Sequence, residues 1–112
     1  MALMFVITKE QDLVQVSEKL QATSNLLRML PDKKKPVNLK YLDSGSLVQA
    51  EHWVNHRDAD RVKRLSWGAI LDVANASTYL DIDELFEVVS DEIGARLKSA
   101  TADELCEMLT YG

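Results

Sequence analysis

His52 and His56 stand four residues apart, a spacing that sets two imidazoles on one face of a helix and can bind zinc. A structural zinc site needs four ligands, and no further cysteine, histidine or carboxylate cluster nearby supplies the third and fourth. A solvated histidine pair is expected, with Trp53 between them in the core. Cys106 is the single thiol, and no adjacent basic residue or histidine favours its thiolate, so an inert core thiol on the apolar side of a short helix is expected. Asp83, Glu84, Glu87, Asp91 and Glu92 resemble an acid–base or metal cluster in composition. Without a glycine-rich ligand loop they read more simply as a solvated helix face. Lys33 to Lys35, between two prolines, read as a soluble loop. There is no nucleophile–base pairing, phosphate loop or cofactor fingerprint. These residues point to no enzyme, no metal and no cofactor.

The positions just named need a frame, and composition bounds it. A chain of 112 residues makes one domain, 1–112, with room for a single core. An apolar fraction of 46 % with 28 % charged residues belongs to a globular chain rather than a disordered one. No apolar run approaches the length of a membrane span, and the amino terminus lacks the pattern of a signal peptide. One thiol permits no intrachain disulfide, so a reducing compartment, cytoplasmic or nuclear, is expected. Charge is lopsided: residues 1–64 carry eleven Lys/Arg against eight Asp/Glu, and residues 65–112 carry two against ten. An acidic second half argues against nucleic-acid binding there, because phosphates would be repelled.

Met4-Phe5-Val6-Ile7 and Leu13-Val14-Gln15-Val16, joined by Glu10-Gln11-Asp12, predict a β-hairpin. Ser17 is placed to cap a short helix over 18–22, and Thr23 or Ser24 another over 25–30 that Pro31 stops. Val37-Asn38-Leu39 predicts a third, short strand. Asp43 or Ser44 opens a helix whose apolar stripe is Leu47, Ala50, Trp53 and Val54. Gly68 to Thr78 predicts a helix with Ile70, Leu71, Val73, Ala74 and Ser77 on one small-residue face. Tyr79 to Ile82 reads as a turn, with Asp81 and Glu84 as a capping box for the next helix. In that helix Leu85, Val89, Ile93 and Leu97 recur every fourth residue. Thr101 and Glu104 form a second capping box before Leu105, Met108 and Leu109. Most residues from 44 onward are expected to be helical.

The string Tyr79-Leu80-Asp81-Ile82, followed by Leu85 and then by Lys98, Thr101 and Glu104, resembles the Skp family, the adaptors of SCF ubiquitin ligases. Gly68 to Leu109 matches that family's order without insertion or deletion. Val37, Leu39, Leu42, Leu47, Ala50, Trp53 and His56 stand at matching spacing in the first half, and Thr23 to Leu30 is similar to the stretch upstream. The resemblance covers nearly the whole chain and is weakest over residues 1–20. It implies an α+β chain with the BTB/POZ (Skp/elongin C-like) fold, a small three-stranded sheet packed on a helical cluster. Two departures stand out. A short, largely basic link, Arg57 to Trp67 (Arg57, Arg61, Lys63, Arg64), replaces the family's long acidic loop. The sequence also ends at Tyr111-Gly112, without the two helices that clasp the F-box partner.

The resemblance implies an adaptor that joins a cullin scaffold to an F-box substrate receptor, with Thr78 and Tyr79 at the cullin surface and Ile93, Leu97, Leu105, Met108 and Leu109 at the receptor surface. Thr78 stands where the family has Asn, a departure at the cullin contact. The alternative is a diverged module that self-associates as a homodimer or takes a dedicated partner helix. Leu85, Val89 and Ile93 also fit a role in closing the domain's own core, whereas Met108 and Leu109 are expected to meet a partner. Neither reading involves nucleic acid or a membrane.

Overall fold

The computed structural model describes residues 3–30, 35–104 and 106. It is an α+β chain with a three-stranded sheet and a cluster of helices. Strands β1 (Met4–Ile7) and β2 (Leu13–Val16) form an antiparallel hairpin in which Met4 lies opposite Val16 and Ile7 opposite Leu13. Strand β3 (Val37–Asn38) runs parallel to β1 on its other side, giving the order β2-β1-β3. Helices α1 (Glu18–Thr23) and α2 (Asn25–Arg28) follow the hairpin. After β3 come α3 (Ser44–His56), α4 (Ala59–Lys63), α5 (Trp67–Leu80) and α6 (Asp83–Ser99). Among the described residues no helix is long and apolar enough to cross a membrane.

Short polar side chains start these helices because each accepts an N–H that the first turn leaves without a partner. Ser17 accepts from Leu20, Ser24 from Leu27, Asp43 from Ser46, Asp58 from Arg61 and Ser66 from Ala69. Of the alternatives open in the sequence, Ser24 and Asp43 are the caps. Helices α3 and α5 end on left-handed residues that are not glycine, Arg57 (φ 52°) and Asp81 (φ 57°).

Two expectations are corrected. Tyr79 and Leu80 are the last turn of α5, not a turn between helices. Asp81 ends α5 rather than opening α6: its own N–H bonds back to the Ser77 and Thr78 carbonyls, and Ile82 holds the α6 cap position with no side-chain bond. The basic link contains helix α4, started by Asp58 and anchored by buried Val62.

The core runs through every layer. Met4 and Val6 of β1, Val16 of β2, Leu20, Leu27, Leu39 and Leu42 meet Leu47, Ala50, Trp53 and Val54 of α3. Val62 of α4, Ile70, Val73, Ala76 and Leu80 of α5, Ile82, and Leu85 and Val89 of α6 complete it. Ala76 takes a buried place on α5, while Leu71 and Ala74 are only partly covered. The hairpin turn is tied to the start of α3. Glu10 accepts the Ser44 N–H at 2.9 Å, Asp12 accepts the Ser44 hydroxyl at 2.7 Å, and Thr8, fully buried, lies 2.8 Å from that hydroxyl.

The Ser44 N–H holds the Glu10 carboxyl below its ordinary value of 4.5. A carboxylate held low in the fold stabilises above its ordinary pKa, and that stabilisation is lost as pH falls through the lowered value. The wild-type melting temperature is therefore expected to fall as pH is taken from about 5 to about 3, and Glu10→Gln should start lower at neutral pH and fall less. Parallel melting curves for the two proteins would contradict the tie between Glu10 and Ser44.

Candidate functional site

Helix α5 positions the first candidate surface. Its apolar positions face the core, which turns Asp72, Asn75 and Thr78 to solvent. The Thr78 hydroxyl donates to the Ala74 carbonyl one turn back at 3.1 Å, so its proton is held within the helix. Tyr79 is half-buried: its ring packs against the core and meets the Tyr41 ring edge-on, with centroids 6.3 Å apart. Tyr41 is 73 % exposed, and the Lys40 ammonium lies 5.3 Å above its ring. Sequence reasoning missed Tyr41, because an aromatic residue in a loop after a two-residue strand carries no periodicity. Its signal is pairing across sequence, which the fold alone reveals. Beside it a cleft of about 170 Å³ runs between Lys9, Tyr41, Asp43, Asp72 and Asn75.

Helix α6 carries the second candidate surface. Leu85 and Val89 are buried, Ile93 is half-buried against the same core, and Leu97 is 47 % exposed one turn further on. Exposure therefore grows along the apolar stripe toward the carboxy end of the helix. Phe86, at 46 % exposure, flanks a cleft of about 170 Å³ with Thr78, Asp81 and Asp83. The Thr101 hydroxyl accepts the Glu104 N–H at 3.2 Å, as a capping residue does. Leu105, Met108 and Leu109 lie outside the described residues. Thr78 and Tyr79 thus sit at the end of α5, and Ile93 and Leu97 on the latter half of α6.

The basic link is largely engaged in holding the fold. Arg57 pairs with Glu84 and lies over the Trp53 ring, and Arg61 Nε donates to Gln49 at 3.0 Å. Arg96 of α6 closes α4: its guanidinium donates to the carbonyls of Lys63 at 2.9 Å and Leu65 at 2.7 Å, pairs with Glu92 at 3.1 Å and stacks over Trp67. Glu92 therefore leaves the solvated acidic face, on which Asp83, Glu84, Glu87 and Asp91 remain exposed.

The histidine pair differs from expectation. The rings lie tilted by 36° with centroids 4.5 Å apart, but only His56 is exposed. His52 is half-buried because Asp58, folding back to cap α4, covers its Nε2 at 3.6 Å, too far for a hydrogen bond. The Asp58 carboxyl is held below its ordinary value of 3.8, first by the Arg61 N–H and then by His52. Trp53, as expected, is core, and its Nε1 is buried with no partner. Cys106 is exposed, not a core thiol. Among the described residues no three His, Cys, Asp or Glu side chains are grouped to hold a metal.

The chemistry these surfaces offer is contact: aromatic edges, aliphatic side chains and fixed charge arranged around them. Neither a protein-family model nor a curated protein matches this chain.

Proposed function

We propose that this chain is a non-enzymatic adaptor of the Skp type, built on a BTB/POZ fold, that joins a cullin scaffold to an F-box substrate receptor in a ubiquitin ligase of the cytoplasm or nucleus. The observation that carries the reading is the end of α5. There Thr78 is exposed and Tyr79 offers a ring edge beside exposed Tyr41, at the two positions where the resemblance puts the scaffold contact. Aromatic residues with one covered side and one open side are frequent anchors of protein interfaces, because they bury large area at small entropic cost. Ile93 and Leu97 supply a separate aliphatic strip for the receptor. A sheet of order β2-β1-β3 packed on helices is compatible with the fold.

Binding to a purified cullin amino-terminal domain tests the reading. The wild-type chain is expected to bind, and Tyr79→Lys to weaken binding by roughly a hundredfold, the scale of one lost hot spot. Circular dichroism should be nearly unchanged, since Tyr79 lies half-buried at the margin of the core and not inside it. A wild-type chain that ignores cullins would sink the adaptor reading. An unfolded Tyr79→Lys protein would instead make Tyr79 a core residue and remove it from the contact.

A further inference from the structure

Beyond Arg96 the chain is held only by its near neighbours. Among the described residues, the hydrogen bonds of residues 97–104 reach no further than four positions along the chain. Leu97, Lys98, Ser99 and the residues from Thr101 to Glu104 are exposed, and none joins the hydrophobic core. Ala100 is extended, at φ −76° and ψ 140°, and Thr101 lies in no helix or strand. Backbone with so few tertiary contacts opens at little free-energy cost. The Thr101 hydroxyl accepts the Glu104 N–H at 3.2 Å with one lone pair, and its own proton goes to no acceptor among the described residues. Charge on its carboxy-terminal side has one sign. Asp103, Glu104 and Glu107 follow at the second, third and sixth positions, and no Lys or Arg stands between 102 and 112. Thr78 and Ser90 also have carboxylates close behind them, but the fold engages both. Thr78, with Asp81 three positions on, donates to the Ala74 carbonyl inside α5. Ser90, followed by Asp91 and Glu92, is half-buried in the middle of α6.

We propose that Thr101 is a phosphorylation site for an acid-directed serine/threonine kinase, one whose basic substrate groove takes the carboxylates that follow the acceptor. Such an enzyme takes its acceptor in an extended segment, which residues 97–104 can supply without disturbing the core. Thr101 Oγ1 attacks the γ-phosphorus of a magnesium-bound nucleoside triphosphate. The new O–P bond forms as the bond to the β–γ bridging oxygen breaks. The nucleoside diphosphate leaves, and the hydroxyl proton passes to a base of the kinase. The product carries up to two negative charges four positions past Leu97. On the adaptor reading, that charge must lose water wherever a receptor covers the end of the α6 strip, so modification would weaken the receptor contact. The site itself does not depend on that reading.

The full chain, incubated with a purified acid-directed serine/threonine kinase and magnesium ATP, is read by intact mass and tandem mass spectrometry. One phosphate is expected, on Thr101. Thr101→Ala should take none, and Thr101→Ser should take it again. Asp103→Asn combined with Glu104→Gln leaves the hydroxyl in place. It should slow the initial rate by roughly tenfold or more, since the charge that steers the segment into the kinase is gone. Thr101, Asp103 and Glu104 are exposed and outside the core, so every variant should keep the wild-type melting temperature. A wild type that takes no phosphate overturns the proposal, as does a first phosphate on another residue. So does a Thr101→Ala protein, or the double variant, that is modified as fast as the wild type.

Discussion

Ser24→Ala is expected to destabilise the fold by about 3 kcal/mol, the sum of a lost cap and stranded backbone groups. Ser24 is fully buried, and its one hydroxyl does two jobs. It accepts the Leu27 N–H at 3.2 Å, which starts α2, and donates to the Leu80 carbonyl at 2.5 Å, in the last turn of α5. Alanine leaves both groups in the interior without water. Replacing the bond costs more than its net worth, because each buried orphan carries its own desolvation penalty of roughly 1–3 kcal/mol. Against a total stability on the order of 5–15 kcal/mol for such a domain, the variant should unfold at visibly lower urea. A midpoint shift equivalent to less than about 1 kcal/mol would mean that water or a rearranged neighbour satisfies Leu80. Amide exchange should show the protection of Thr78 to Ile82 falling with Ser24→Ala, since the same hydroxyl ties down the end of the proposed scaffold contact.

Arg96→Ala should cost about 2–3 kcal/mol, and Arg96→Lys should recover less than half of that loss. The guanidinium serves carbonyls at the end of α4, which the helix itself cannot satisfy. It also pairs with largely buried Glu92 and lies over the Trp67 ring. A planar fork with several donors can do all of this at once; a single ammonium cannot. Charge pairs alone would contribute little here, and partial exposure of Arg96 screens them further. The loss is therefore expected to be nearly independent of salt, measured as melting temperature in low and high sodium chloride. Full rescue by lysine would show the role to be charge and not geometry.

Much of the fold was legible because its signals are local. The apolar run Met4 to Ile7, the alternation of Leu13 to Val16, the cap Ser17, the cap pairs Thr23/Ser24 and Asp43/Ser44, and the stripe Leu47, Ala50, Trp53, Val54 lie within a few residues of what they determine. What escaped is non-local or made by the backbone. Helix α4 has one buried side chain, Val62, too few to set a period, and its end is closed by an arginine more than thirty positions away. Asp81 has the composition of a start signal, yet α5 runs two residues beyond Thr78 to Leu80, so Asp81 serves the helix before it. At the candidate surfaces, Thr78, Tyr79, Ile93 and Leu97 were named by resemblance, and Tyr41 beside Tyr79 was not named. Whether a ring is open or covered depends on which loop folds beside it, and no window of sequence reports that.

The Ser24 bond also bears on how the chain reaches this structure. Its partners are separated by 56 positions, and the Asn25 N–H makes a parallel bond to the Asp81 carbonyl at 3.2 Å. By contrast the β1–β2 hairpin and the α5–α6 pair close short loops and can form in microseconds, early and independently. The junction of α2 with the end of α5 must wait until both exist, because closing a long loop costs entropy that only finished surfaces repay. Closure between residues 24–25 and 80–81 is therefore expected to follow the local contacts. The segment that presents the proposed scaffold contact would then be among the last parts of the molecule to acquire its final shape.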